Sequence, residues 1–248
     1  MVTPWRFGGA SALALFCRVA QPGRNKSLKQ TLSGPMVPPK SGKAKKAVVL
    51  LHGYGSDGND LISLAQYWRA EMADAMFVAP NAPDRCDINP MGYQWFPLAV
   101  DRLNSPLVGV ETARAVITEF LEALWAQTGL KAADTLLIGF SQGGMMALDV
   151  GLRLEQPLSG IVSFSGGLIG VETIQKEIKS KPPVCFIHGE ADDVVPMQMS
   201  KAGHEALKRL DVKSALHLEP GVAHTISMEG LGFALAFMRE VGGTSKRQ

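Results

Sequence analysis

From Lys46 onward, short apolar runs alternate with stretches of helical periodicity, and that alternation leaves the chain very few architectures. The runs at 47–52, 76–79, 135–139, 161–165, 184–188 and 214–219 have the length and composition of strands. Between and after them, 60–73, 109–127, 142–154, 197–210 and 228–241 carry helical patterns. Strands joined through helices pair in parallel, so the expected fold class is α/β, with a mostly parallel central sheet of about six or seven strands and helices on both faces. In 109–127, Val110, Ala113, Ile117, Leu121 and Leu124 form the stripe that packs on a sheet, leaving Glu111, Arg114, Thr118 and Glu122 to water. The helix 142–154 has almost no polar face (Met145, Met146, Ala147, Leu148, Val150, Leu152), which puts it at the centre of its layer.

At 248 residues and 46% hydrophobic content, the chain can bury one full α/β core, so a single domain over 41–248 is expected. The net charge of +2 conceals an asymmetry: residues 1–56 carry nine Lys or Arg and no acid, whereas 57–248 carry 16 basic and 23 acidic side chains. That mildly acidic body offers no basic patch for nucleic acid. Residues 1–40 read as a basic extension without fixed structure. The apolar stretch from Gly8 to Cys17 is short, is closed by Arg18 and lacks a cleavage pattern, which argues against a signal peptide. Met36 stands as an alternative start of translation. Cys17, Cys86 and Cys185 lie far apart, which fits a reducing, cytoplasmic setting. No apolar run approaches the roughly 18 residues of a membrane-spanning helix.

Chemistry enters at Gly139-Phe140-Ser141-Gln142-Gly143-Gly144, which follows a strand and opens the most apolar helix. Glycines flanking a serine there allow a sharp turn that throws the hydroxyl clear of the sheet. The pentapeptide alone is weak evidence in a chain with 26 glycines; the strand-to-helix context strengthens it. A serine hydroxyl needs a base, and the base an acid to orient it. In elbows of this kind the partners follow in the order Ser, Asp or Glu, His. Of five histidines, His52 and His188 come too early, His204 falls in a helical pattern and His217 in mid-strand, so His224 remains, in a turn-rich loop after the last strand. Ten carboxylates separate Ser141 from His224, and the loop after 184–188 offers Glu190, Asp192 and Asp193. Asp192 is the first choice there and Asp193 the reserve.

An oxyanion needs backbone donors. One is expected from Gln142 N–H at the helix N-terminus. The other is expected from Tyr54 N–H, in the loop His52-Gly53-Tyr54-Gly55-Ser56-Asp57-Gly58, with His52 a structural residue that fixes the loop. The same loop contains Gly53-x-Gly55-x-x-Gly58, formally a dinucleotide fingerprint, but Pro80-Asn81-Ala82-Pro83 stands where the ribose-binding acid belongs. Neither cofactor nor metal is expected, because the histidines and cysteines lack ligand spacing. The Pro-broken stretch 81–106 reads as a substrate-facing wall carrying Trp95, Phe96 and Leu98; a structural plug is the alternative for Trp95.

Taken in order, Leu50-Leu51-His52-Gly53-Tyr54-Gly55, Ala79-Pro80-Asn81-Ala82-Pro83, Trp95-Phe96, Gly139 to Gly144, His188-Gly189-x-x-Asp192-x-x-Val195-Pro196 and Gly221-x-x-His224 make the chain resemble the carboxylesterase/phospholipase family of α/β-hydrolases, to which acyl-protein thioesterases belong. The resemblance spans about 46–240 and favours Asp192 over Asp193. It implies Ser141, Asp192 and His224 as the triad, Tyr54 and Gln142 as oxyanion donors, and an ester or thioester substrate with a modest, lipid-like acyl chain. The expected function is therefore a carboxylic ester hydrolase acting through an acyl-enzyme. A ligand-binding protein on a hydrolase fold would be expected to have lost a triad member, and a peptidase would need a cap domain for which there is no room.

Overall fold

The structure, a computed structural model, describes residues 3–6, 32–98 and 109–243. Its strands are β1 (Thr3–Arg6), β2 (Ser33–Val37), β3 (Lys46–Leu51), β4 (Ala75–Val78), β5 (Asp84–Arg85), β6 (Tyr93–Gln94), β7 (Thr135–Phe140), β8 (Gly160–Phe164), β9 (Val184–Gly189) and β10 (Ser214–Glu219). Its helices are α1 (Gly58–Ile62), α2 (Ala65–Trp68), α3 (Val110–Thr128), α4 (Gln142–Arg153), α5 (Val171–Glu177), α6 (Gln198–Arg209) and α7 (Met228–Val241).

Eight strands form one sheet in the order β1-β2-β4-β3-β7-β8-β9-β10, and β5 and β6 form a separate hairpin. β2 is antiparallel to both its neighbours, and the strands from β4 across to β10 run parallel. All six expected strands are present. The boundary expected at residue 40 is corrected: Ser33–Val37 already belong to the sheet, and Met36 lies within that strand opposite Val78. Gly34 and Pro35 give this segment little strand character by itself; its pairing with β4 and the bonds from Ala79 and Asn81 impose it. The expectations for the Gly8–Cys17 stretch, for most of the N-terminal extension and for the wall beyond Leu98 lie outside the described residues.

Alternation along the strands divides the core into two layers. Ala47, Val49, Leu51, Leu137 and Phe186 face α3, α4 and α6. Val48, Leu50, Leu136, Ile138 and Ile187 face α1, α2 and α7. The helix expected over 60–73 is two short ones, because Ser63 Oγ turns back onto Asp60 O and the following turns tighten to i→i−3 bonds. The central helix α4 is buried as expected, and its one acid, Asp149, is 1% exposed. Arg114 of α3, expected to face water, instead pairs with Asp149 at 2.6 Å, and Arg153 joins the same carboxylate to Glu177 of α5. This charged seam fixes α4, and with it the serine at the helix start.

Candidate active site

Ser141 is the N-cap of α4 and takes φ 54° and ψ −118°, a conformation rare outside glycine. Its N–H donates to Phe164 O at 2.8 Å and its C=O accepts Met145 N–H, so both sides of the turn are tied down. Gly139 and Gly143 make the elbow possible. A Cβ on Gly139 would strike the Gly143 carbonyl, and one on Gly143 would strike the carbonyl oxygen of Leu51. The start of α4 therefore lies directly against the end of β3.

Ser141 Oγ lies 3.0 Å from His224 Nε2, and His224 Nδ1 lies 2.7 Å from Asp192 Oδ2. Because the carboxylate can only accept, Nδ1 carries the imidazole hydrogen and Nε2 is free to accept from the serine. Asp192 Oδ1 accepts the amides of Val194 and Val195 at 3.0 and 2.8 Å, which orients the group. Its side chain is 0% exposed. Burial by itself would raise this carboxyl, but the hydrogen bonds from His224, Val195 and Val194 outweigh it and hold Asp192 below its ordinary value. Glu190 and Asp193, the alternatives on the same loop, are exposed. Past the strand ends, Glu190 N–H donates to Glu219 O and Ala191 N–H to Val222 O, so the acid loop and the base loop are paired to each other.

The first turn of the loop after β3 passes beside the serine: a Cβ built on Gly53 would lie 3.5 Å from Ser141 Cβ. Tyr54 follows it, and Gln142 is the first residue of α4, where helical geometry leaves the N–H without an intrahelical partner. His52 is fully buried; its Nδ1–H donates to Gly53 O at 2.8 Å while Nε2 accepts Ala82 N–H at 2.9 Å. Burial lowers its pKa, and the Gly53 bond and the nearby Asp57 and Asp60 only partly offset that, which matches a ring that must accept at Nε2. Asn81 Oδ1 caps Gly58 N–H at 2.8 Å, in the region where a nucleotide site would need its acid.

The expected substrate wall is corrected in two of its three residues. Trp95 is 1% and Phe96 0% exposed, so neither ring presents a surface to a ligand. Trp95 is the plug: its indole N–H donates to His52 O at 2.9 Å. Leu98 is half-buried against the α3 side of the core.

The sequence profile of the Phospholipase/Carboxylesterase family matches residues 32–241. The chain belongs to this family. Acyl-protein thioesterase 1 of Gibberella zeae is 30% identical over 223 residues, 83% of this chain and 94% of the relative. Esterase YpfH of Escherichia coli is 25% identical over 79% of this chain and 83% of its own length. Among solved structures, that of esterase PE8 shares 55% identity and a TM-score of 0.83, covering 85% of this chain and 99% of the other. As a phospholipase/carboxylesterase member with esterase relatives, the chain is an enzyme, a carboxylic ester hydrolase with the α/β-hydrolase fold.

Three neighbours of this hydrolase's site escaped the reading of its sequence. The Phe140 ring packs on the His224 imidazole at 4.8 Å between centroids. His188, set aside as a base, is buried with Nε2–H on Val195 O at 2.8 Å and 3.2 Å from Asp192 Oδ2, so it steadies the acid loop from beneath. Glu219 accepts the Ser227 hydroxyl, which itself caps α7 by accepting Gly230 N–H, and so closes the loop that carries His224. Phe140 and His188 stand inside motifs visible in the sequence, but nothing in the sequence marks their contacts with His224 and Asp192. Among the described residues no group of side chains is arranged to hold a metal ion, and no helix is long and apolar enough to cross a membrane.

Proposed function

We propose that this esterase cleaves carboxylic esters or thioesters with short to medium acyl chains through an acyl-enzyme on Ser141. The observation that carries the reading is the unbroken row from Ser141 Oγ through His224 to the buried Asp192, with contacts of 3.0 and 2.7 Å, set at a strained elbow. In this mechanism Ser141 Oγ attacks the acyl carbon as His224 Nε2 takes its proton, and Asp192 steadies the imidazolium. Tyr54 and Gln142 N–H groups receive the oxyanion. The tetrahedral intermediate expels the alkoxide or thiolate, which His224 protonates. Water, deprotonated by His224, then attacks the acyl-enzyme, and Ser141 recovers its proton as the carboxylic acid leaves.

Thioesters are included because a relative at 30% identity bears the name acyl-protein thioesterase 1. Leu98 is retained as part of the acyl wall. A reducing, cytoplasmic setting goes with this reading, supported by sparse, widely spaced cysteines of which Cys86 and Cys185 are buried and unpaired with each other. Hydrolysis of p-nitrophenyl esters of increasing chain length, beside matched thioesters, tests the proposal. Turnover should fall for the longest chains and drop by about a millionfold in Ser141→Ala. Equal turnover in that variant would overturn the serine mechanism, and a preference for the longest chains would overturn the substrate class.

A further inference from the structure

The carboxamide of Gln142 uses both of its ends. Oε1 accepts Trp95 N–H at 2.9 Å, and Nε2 donates to Phe96 O at 2.7 Å, so the side chain grips the 95–96 backbone as a neighbouring strand would. Trp95 in turn donates its indole N–H to His52 O, and its ring lies 5.3 Å from the His52 imidazole. His52 Nδ1–H holds Gly53 O, and Ala82 N–H donates to Nε2 on the other edge of that ring. Gly53 precedes Tyr54. Every side chain in this path is buried, so water does not compete for its bonds.

We infer that the side chains of Gln142, Trp95 and His52 form a strut that sets the distance between the two oxyanion amides. This rests on the serine-esterase reading given above. Gln142 has two functions in it: its backbone supplies one amide, and its side chain, through Trp95 and His52, places the loop that supplies the other. None of the three side chains touches the substrate; they are positioning residues. The physical case is that an oxyanion hole works only when its donors are already aimed at the transition state, and a displacement of about 1 Å can cost on the order of a hundredfold in rate. The loop after β3 is glycine-rich; its far end is anchored by α1 and by backbone bonds between Gly55, Ser56 and Tyr93, while its first residues, His52 and Gly53, are held by the side chains of Trp95 and His52. The strut adds a side-chain connection between that part of the loop and the rigid start of α4, beside the direct seat of Gly143 on the Leu51 and His52 carbonyls.

Trp95→Phe is the informative variant, since it keeps an aromatic ring in the plug and deletes the N–H that reaches His52 O. The strut predicts that kcat falls roughly tenfold to a hundredfold with KM changed less than about twofold. It also predicts that affinity for a trifluoromethyl ketone analogue of the acyl group falls in parallel with kcat/KM. Gln142→Glu, which keeps the acceptor for Trp95 N–H but sets an oxygen against Phe96 O, should reduce kcat in the same way. Wild-type kcat in Trp95→Phe with only a lower Tm would make the residue structural and overturn the proposal. So would a raised KM with a changed acyl-length profile, which would make it a substrate contact. Ser141→Ala separates the two readings. If it keeps wild-type turnover, the serine-esterase reading fails; if it is inactive while Trp95→Phe is unimpaired, only the strut fails.

Discussion

Ser141 holds φ 54° and ψ −118° without being glycine, a conformation that costs on the order of 1–3 kcal/mol and persists only where its surroundings enforce it. Here the bond to Phe164 O and the close seat of α4 on β3 enforce it, which leaves the hydroxyl aimed at His224 before any substrate arrives. If the three side chains act as a unit, Ser141→Ala and His224→Ala should each lower kcat by about a millionfold, and Asp192→Asn by about ten-thousandfold. Steady-state rates with one activated ester check this; additive losses in a double variant would contradict it. Chain order singled out His224 among five histidines, and His224 is the one whose ring lies against Ser141 Oγ. It could not separate Asp192 from Asp193, because adjacent carboxylates on a loop differ only in which one turns inward. Trp95 was misread for a related reason: an aromatic in a Pro-rich loop has the same sequence signature whether its ring faces a ligand or the core.

Elements read well from the sequence where one periodicity ran without interruption. The six parallel strands and the helices α3, α4, α6 and α7 announce themselves through apolar runs and stripes. Ser33–Val37 did not, since its strand state comes from pairing with β4, and neither did α5, whose single buried residue, Ile174, leaves no stripe to see. The contact between α4 and β3 was legible only as glycines in a motif. Its physical content is that a side chain on Gly143 would enter the Leu51 carbonyl. Gly143→Ala should therefore push α4 away from β3, lowering stability by about 1–3 kcal/mol and turnover by far more than that loss of folded protein explains. Urea denaturation alongside kcat measured on the folded fraction would reveal this. A variant with unaltered stability and rate would show that the elbow tolerates a wider seat.

Across the whole molecule, the site gathers residues from the C-terminal ends of β3, β7, β9 and β10, where a parallel sheet presents its loops on one side. Two buried histidines underpin that end. Burial holds His52 and His188 below the ordinary value of 6.5, only partly offset by the carbonyls and carboxylates beside them. Below that value the unfolded chain takes up protons that the folded chain refuses, so stability is complete above about pH 6.5 and declines as pH falls toward the lowered folded values. Asp192 acts at lower pH, its stabilising contribution being present above the ordinary 3.8 and lost as pH falls through its depressed value. Thermal unfolding should then show a lower Tm at about pH 5 than at about pH 7.5, with His188→Gln reducing the difference. A flat Tm across that range would mean that the two rings are not held neutral.

The central claim is that Ser141 is a nucleophile activated by its row of partners, and a fluorophosphonate reagent reads that directly by phosphonylating an activated serine. Peptide mapping should locate one adduct, on Ser141, formed rapidly in the wild type, absent in Ser141→Ala and strongly slowed in His224→Ala. Labelling of Ser141→Ala as fast as of the wild type, or an adduct on any other residue, would contradict the account.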